Sequence, residues 1–319
     1  MIIKKIKLIL FKILKIISNF LRNTKLHRII PFRGEIYDFL FKKFWSGGDV
    51  LEIQGSKMYI NVKEKDPNMR KTFQAYVSGL IHEEATTNLF KKAVREKDII
   101  VDLGANIGYF TLLAARLTGK EGKVYSFEPE PKNYSYLIKN IKLNNYDNVL
   151  AMQEAVSDKN GRIKLYICEH DTGHHTINQY GGIKNYKPNT DNKEIFIEID
   201  TVTLDDFLRD KEKTVDVIKM DIEGAEMLAL SGMEQTIKQN QNLKMFIEFF
   251  PLLIKKMGNS PEEFIGKLLK DYGFSVFVIG KDYNAHNQGL LRINKIDEVM
   301  NLCKNENDHV NLFLKKGQK

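Results

Sequence analysis

Three carboxylates crowd the run Ile218-Lys-Met-Asp-Ile-Glu-Gly-Ala-Glu226: Asp221, Glu223 and Glu226. Carboxylates held this close raise one another's pKa, and they can take a proton from a hydroxyl or hold a cation. Acids at a helix start also complement its dipole, which explains one such residue comfortably and three poorly. Histidines supply a second proton acceptor near neutral pH. His170, His174 and His175 lie in a polar loop of about 25 residues after Ile167, and loops of that length in a compact domain are usually functional or disordered. Asp221, Glu223 and His174, in that order, are the candidate general bases. The spacing His-x-x-x-His-His has no partnering motif, and no metal site is assigned.

A third set reads as a ligand cradle. Ile99-Ile-Val-Asp102 is a buried strand ending in a carboxylate, and Gly104-Ala-Asn-Ile-Gly108 turns the chain into a helix beginning near Tyr109. Glycines let the backbone approach a nucleotide closely, and the first helical N–H groups face it. A dinucleotide fingerprint needs Gly-x-Gly-x-x-Gly. Here Asn106 replaces the middle glycine. Glu128 ends the next strand, 20 residues beyond Gly108, where an acid accepts hydrogen bonds from ribose hydroxyls. Glu154, Ala155 and Val156 follow on the third strand, where an adenine edge and an apolar wall meet. The candidate cofactor contacts are therefore Asp102, Gly104, Ala105, Asn106, Gly108, Tyr109, Glu128, Glu154, Ala155 and Val156.

Strands and helices alternate from residue 99 onward, the pattern of a doubly wound parallel sheet. Strands are expected at 99–102, 123–128, 148–156, 162–167, 198–203, 215–221 and 243–249. An antiparallel pair, 274–279 and 310–315, closes the sheet. Glu248 is an unusual guest in the apolar run Leu243 to Phe249. Helical spacing covers 109–116, 133–143, 204–208, 227–232 and 261–272. Upstream, 49–54 and 57–62 read as a hairpin, and 73–95 as one helix carrying His82-Glu-Glu84, either toward solvent or as a lid over a substrate pocket. Three segments result: 1–34, 35–98 as an extension with its helix, and 99–319.

The chain has 319 residues, 43% hydrophobic and 28% charged, an ordinary globular composition. Two cysteines build no disulfide framework, which points to a reducing, cytoplasmic setting. The net charge of +8 is local: residues 1–34 hold nine Lys or Arg and no acid, leaving 40 basic against 41 acidic residues elsewhere. A neutral body argues against a phosphate-tracking surface, so nucleic acid is not an expected partner. Ile2 to Arg22 form an amphipathic helix with Lys opposite the apolar face. No apolar run there exceeds four residues, too few to span a bilayer. Such a helix fits either the inner membrane surface or a protein face.

Ile100-Val-Asp-Leu-Gly-Ala-Asn-Ile-Gly-Tyr-Phe-Thr111, Phe127-Glu-Pro129, Glu154-Ala-Val-Ser-Asp158, Thr203-Leu-Asp-Asp-Phe207, Ile218 to Glu226 and Asn311-Leu-Phe-Leu314 together resemble the FkbM-type methyltransferases. They stand in that family's order across about residues 80 to 316, and Lys-x-Asp-x-Glu-Gly-x-Glu is the most specific element. The resemblance implies the Rossmann-like class I methyltransferase fold: a seven-stranded, mostly parallel sheet, its last strand antiparallel, with helices on both faces. It also implies S-adenosylmethionine (SAM) as cofactor and O-methylation of a hydroxyl on a sugar, glycan or natural product. It names no acceptor and does not reach the first 80 residues. A nucleic-acid methyltransferase, a Rossmann dehydrogenase (disfavoured by Asn106) and a non-enzymatic membrane-bound scaffold are the alternatives. The oligomeric state is not read from the sequence.

Overall fold

A computed structural model describes residues 48–61, 80–167, 175–177, 195–280 and 289–316, with Ile13, Thr72, Phe73, Ala75, Tyr76 and Asp282. The chain falls into two compact units, Met1–His82 and Glu83–Lys319. The amphipathic segment expected over 2–22 lies outside the described residues apart from Ile13. Among the described residues, no helix is long and apolar enough to cross a membrane.

The first unit contains the expected hairpin, β1 (Gly48–Ile53) and β2 (Ser56–Asn61), paired antiparallel. Gln54 and Gly55 turn it with φ of 53° and 81°, the left-handed pair that matches the twist of a two-residue hairpin.

The second unit runs α1 (Glu84–Ala93), β3 (Ile99–Leu103), α2 (Tyr109–Thr118), β4 (Lys123–Phe127), α3 (Pro131–Asn144), β5 (Val149–Met152), β6 (Ala155–Val156), β7 (Gly161–Tyr166) and β8 (Phe196–Val202). It continues with α4 (Leu204–Leu208), β9 (Val217–Met220), α5 (Glu226–Ser231), α6 (Glu234–Gln239), β10 (Lys244–Phe249), α7 (Pro251–Lys256), α8 (Pro261–Gly266), β11 (Ser275–Ile279), β12 (Leu290–Ile293), α9 (Ile296–Met300) and β13 (Val310–Lys315). The main sheet has the order β12-β11-β13-β10-β9-β3-β4-β5. Strands β5, β4, β3, β9 and β10 are mutually parallel, and β13 is antiparallel to both β10 and β11. The chain winds outward from β3 to β5, then restarts at β9 on the other side. The switch point, where open α/β sheets bind ligands, therefore lies between the carboxyl ends of β3 and β9.

One face of the sheet is apolar. Val101, Leu103, Ile218, Met220, Met245 and Ile247 are buried there in one cluster with Leu204, Leu230, Met233 and Ile237 of the helices covering it. On the other face Phe90 of α1 meets Phe110 of α2 and Phe246 of β10, with ring centroids 5.3 and 5.2 Å apart.

Four expectations need correction. The main sheet has eight strands rather than seven, because β12 adds an antiparallel edge beside β11. The strand expected over 148–156 breaks after Met152. Its end, β6, pairs instead with β8 in a separate sheet completed by β7. The helix expected over 73–95 is not continuous: α1 begins at Glu84, because Glu83 is left-handed at φ 41°. Its first N–H groups are capped from across the fold, Ala85 N and Thr86 N donating to Asp282 at 3.0 and 2.7 Å. Finally, the helix expected over 261–272 gives way after Gly266 to a π-helical turn, Lys267–Asp271.

Candidate functional site

The glycine turn after β3 is built from left-handed residues: Gly104, Asn106 and Gly108 have φ of 79°, 50° and 100°. A Cβ on Gly104 would stand 1.9 Å from the Asp221 carbonyl oxygen, so only glycine lets the ends of β3 and β9 approach at the switch point. Four of the five N–H groups from Gly104 to Gly108 are spent within the protein. Those of Gly104 and Ala105 both donate to the Phe127 carbonyl, Gly108 N donates to the Ala105 carbonyl, and Asn106 N donates to Glu128 Oε2 at 2.7 Å. A pyrophosphate would need those donors. At these four positions the turn offers no donor to a pyrophosphate, and the Asn106 backbone fastens the turn to Glu128.

Glu128, 5% exposed, accepts Asn106 N on one oxygen and Glu130 N on the other. Burial pushes its carboxyl up to about 7, against the pull of these two N–H groups. The Asn133 side chain also donates to this carboxylate and lowers its pKa. Asp102 is placed differently. It is 3% exposed beneath the turn and accepts from Thr111 Oγ1 at 2.6 Å, and Thr111 Oγ1 also bonds Ser126 Oγ at 2.9 Å. Burial raises Asp102 to about 6 while the Thr111 hydroxyl lowers it. It ties β3 to α2 rather than opening outward. Tyr109 is buried at the start of α2, 5.2 Å from Phe110 in an edge-on ring contact. Glu154 and Ala155 are half-buried and Val156 is buried, where the chain leaves β5 for β6.

Across the switch point, β9 and β10 carry the acidic corner. Lys219 is 2% exposed, its Nζ 3.2 Å from Asp221 Oδ2 and 5.0 Å from the centre of the Phe110 ring. Burial alone would lower its pKa. Asp221 first, then Glu83, Glu248 and Asp102, raise it above the usual lysine range. Glu223 follows in a left-handed conformation at φ 54°. Oxygens of Asp221, Glu223 and Glu248 all lie within 4.8 Å of one another. Burial, then the charges of Asp221, Glu223 and Glu83, push Glu248 well above the usual carboxylate range. His309 Nε2 lies 3.7 Å from Glu248 Oε1, and the ring stacks on Phe250 at 4.9 Å. Glu226 turns inward instead. One oxygen accepts Gly224 N at 3.1 Å, and burial raises its carboxyl to about 7, with Asp221 adding to the rise.

Asp221 and Glu223 thus stand together as expected from their spacing, and Glu226 braces the turn behind them. Glu248 and His309 join the corner from β10 and the approach to β13. Glu248 was visible as a charge in an apolar strand; nothing local marked His309. His174 lies outside the described residues. Its neighbours are described: Thr176 pairs with Tyr166 through both backbone bonds and donates Oγ1 to the Glu223 carbonyl at 3.2 Å, bringing this segment to the corner. Of the possible lid group, Glu83 contributes charge toward Lys219 and Glu248, whereas His82 and Glu84 are exposed.

This strand order, with an antiparallel β13 inserted between β10 and β11 and a buried acid after β4, is the class I methyltransferase fold. Residues 102–276 match the Methyltransferase FkbM domain, more than half of the chain, and the chain belongs to that family. Methyltransferase 1 of Beauveria bassiana is 30% identical over 149 residues, which is 44% of this chain and 59% of that protein. The 2-O-methyltransferase NoeI of Sinorhizobium fredii is 26% identical over 184 residues, 54% of this chain and 74% of that protein. The chain spans about three fifths of the length of the two fungal relatives it matches, the second being Methyltransferase sdnD of Sordaria araneosa. A crystal structure of Methyltransferase FkbM from Methylobacillus flagellatus aligns over 77% of this chain and 53% of that one, at 15% identity and a TM-score of 0.38.

Proposed function

We propose that this protein is a SAM-dependent O-methyltransferase acting on a hydroxyl of a sugar, glycan or natural product. The observation that carries the reading is Glu128. It is a buried acid after β4, one oxygen accepting from Asn106 N of the glycine turn and the other from Glu130 N. Family membership supports methyl transfer, and the 2-O-methyltransferase NoeI supports oxygen as the acceptor atom.

SAM supplies a methyl group already activated on a sulfonium, so the protein's task is to align an oxygen and relieve it of a proton. Gly104 to Gly108 and Glu128 would hold the nucleoside, with Glu154 to Val156 beside the adenine. Alignment of two bound reactants is worth up to roughly 7–11 kcal/mol. Asp221, anchored by Lys219 at 3.2 Å, and Glu223 are the groups placed to accept the hydroxyl proton. A general base of this kind contributes typically 10²–10⁴-fold. Asp221→Asn should therefore lower kcat by about 10²–10⁴-fold while SAM affinity changes little. The test is transfer of labelled methyl from SAM to a panel of glycans, nucleotide sugars and hydroxylated natural products. Base-stable label on a hydroxyl is the expected product. Label entering RNA or DNA instead, or Asp221→Asn and Glu223→Gln both turning over at wild-type rates, would overturn the assignment.

A further inference from the structure

We infer that Asp221, Glu223 and Glu248 form a binding site for one hard divalent cation, Mg²⁺ or Mn²⁺, at the carboxyl ends of β9 and β10. Their oxygens lie within 4.8 Å of one another. Oxygens on opposite sides of one such ion stand roughly 4.2 Å apart, so a small inward movement closes the set. With oxygen ligands and no thiolate or imidazole among them, the set favours Mg²⁺ or Mn²⁺ over zinc.

An independent observation lies on the neighbouring strand. Asn311 is directly opposite Glu248 in the antiparallel pairing of β10 with β13, so both side chains rise from the same face of the sheet. Asn311 is 2% exposed and its Nδ2 donates to Thr86 Oγ1 at 2.9 Å. Its Oδ1, buried on the face it shares with Glu248, accepts no hydrogen bond from the described residues. A buried amide oxygen is normally satisfied. Mg²⁺ and Mn²⁺ keep several of their waters when bound to carboxylates, and such a water is the donor that Asn311 lacks. Glu226 Oε2 is likewise buried with no hydrogen-bond partner among the described residues, and the Asp221 charge reaches this carboxyl.

The role of the ion rests on the methyltransferase reading; its binding does not. A cation here would take the acceptor hydroxyl as a ligand and acidify it, so that its proton leaves readily to a carboxylate oxygen. The experiment is a titration of Mn²⁺ into the full-length, chelator-treated protein without SAM, followed by the loss of free-Mn²⁺ electron paramagnetic resonance signal. One saturable site per chain is expected, competed by Mg²⁺. Glu248→Gln and Glu223→Gln should each weaken it at least tenfold, with thermal unfolding and SAM binding retained. SAM binding by these variants separates a failed metal site from a failed methyltransferase reading. Should Glu248→Gln not fold, Glu223→Gln, whose side chain sits on a loop, carries the test. Absence of saturable Mn²⁺ binding in the wild type, or unchanged affinity in the folded variants, would overturn the proposal.

Discussion

Glu128 shows how one side chain couples structure, protonation and ligand binding. In the ligand-free protein burial lifts its carboxyl to about 7, from an ordinary 4.5. The folded state therefore holds this proton more tightly than the unfolded chain, and its ionisation lowers fold stability as pH rises from about 4.5 to 7. Ribose hydroxyls donate to the ionised form, so ligand binding runs the other way and strengthens as pH rises. With an apparent value near 7, SAM affinity should rise about tenfold between pH 6 and pH 8. Calorimetric titration across that range checks this, and Glu128→Gln should flatten the profile as well as weaken binding. A flat wild-type profile would remove Glu128 from the ribose site. The residue could be found from sequence because its signal is positional, an acid at a strand end a fixed distance past a glycine turn. His309 could not: its partner Glu248 is 61 positions away, and only the pairing of β10 with β13 brings them together. Asp102 was legible as a strand-end acid, but its burial under Thr111 was not, since the helix that covers it decides which way it faces.

At the scale of elements, the turn between β3 and α2 is set by what its backbone must avoid. Gly104 and Gly119 both have positive φ, 79° and 68°, yet of the two only Gly104 is pressed against another strand. Adding a methyl at Gly119, where ψ is −175°, meets nothing within 4 Å, so Gly119→Ala should cost only the conformational penalty, about 1–3 kcal/mol. At Gly104 the same methyl would be driven into the Asp221 carbonyl, and Gly104→Ala should cost at least about 3 kcal/mol. Urea denaturation of the two variants compares them directly; equal losses would mean that β3 and β9 are not in close contact at their ends. Most parallel strands and their helices were readable because they are short apolar runs bounded by glycine, proline or acids. The errors arose where distant partners decide. The start of α1 depends on a cap from Asp282, 197 positions from Ala85. The strand after Met152 breaks because Ala155 and Val156 find β8 rather than β4. The edge strand β12 carries too little local pattern in four residues to announce itself.

For the whole molecule, the decisive fact is how the two halves of the winding meet. The nucleoside side is built on β3, β4 and β5, the acidic side on β9 and β10, and the switch point sets Gly104 against Asp221 between them. The class of fold could be read from alternation of strands and helices, whereas the convergence of Glu248, His309 and Asn311 on the Asp221 corner needed the antiparallel closing strand in place. The spent N–H groups of the glycine turn bear on the cofactor itself. The donors at Gly104, Ala105, Asn106 and Gly108 go to Phe127, Glu128 and the turn's own Ala105 carbonyl and are not offered to a pyrophosphate. Isothermal titration of the full-length protein with SAM and, separately, with NAD tests this account most directly. Saturable one-to-one SAM binding, weakened at least tenfold by Glu128→Ala, with no detectable NAD binding, is the predicted result. Binding of NAD but not SAM, or SAM binding indifferent to Glu128→Ala, would contradict it.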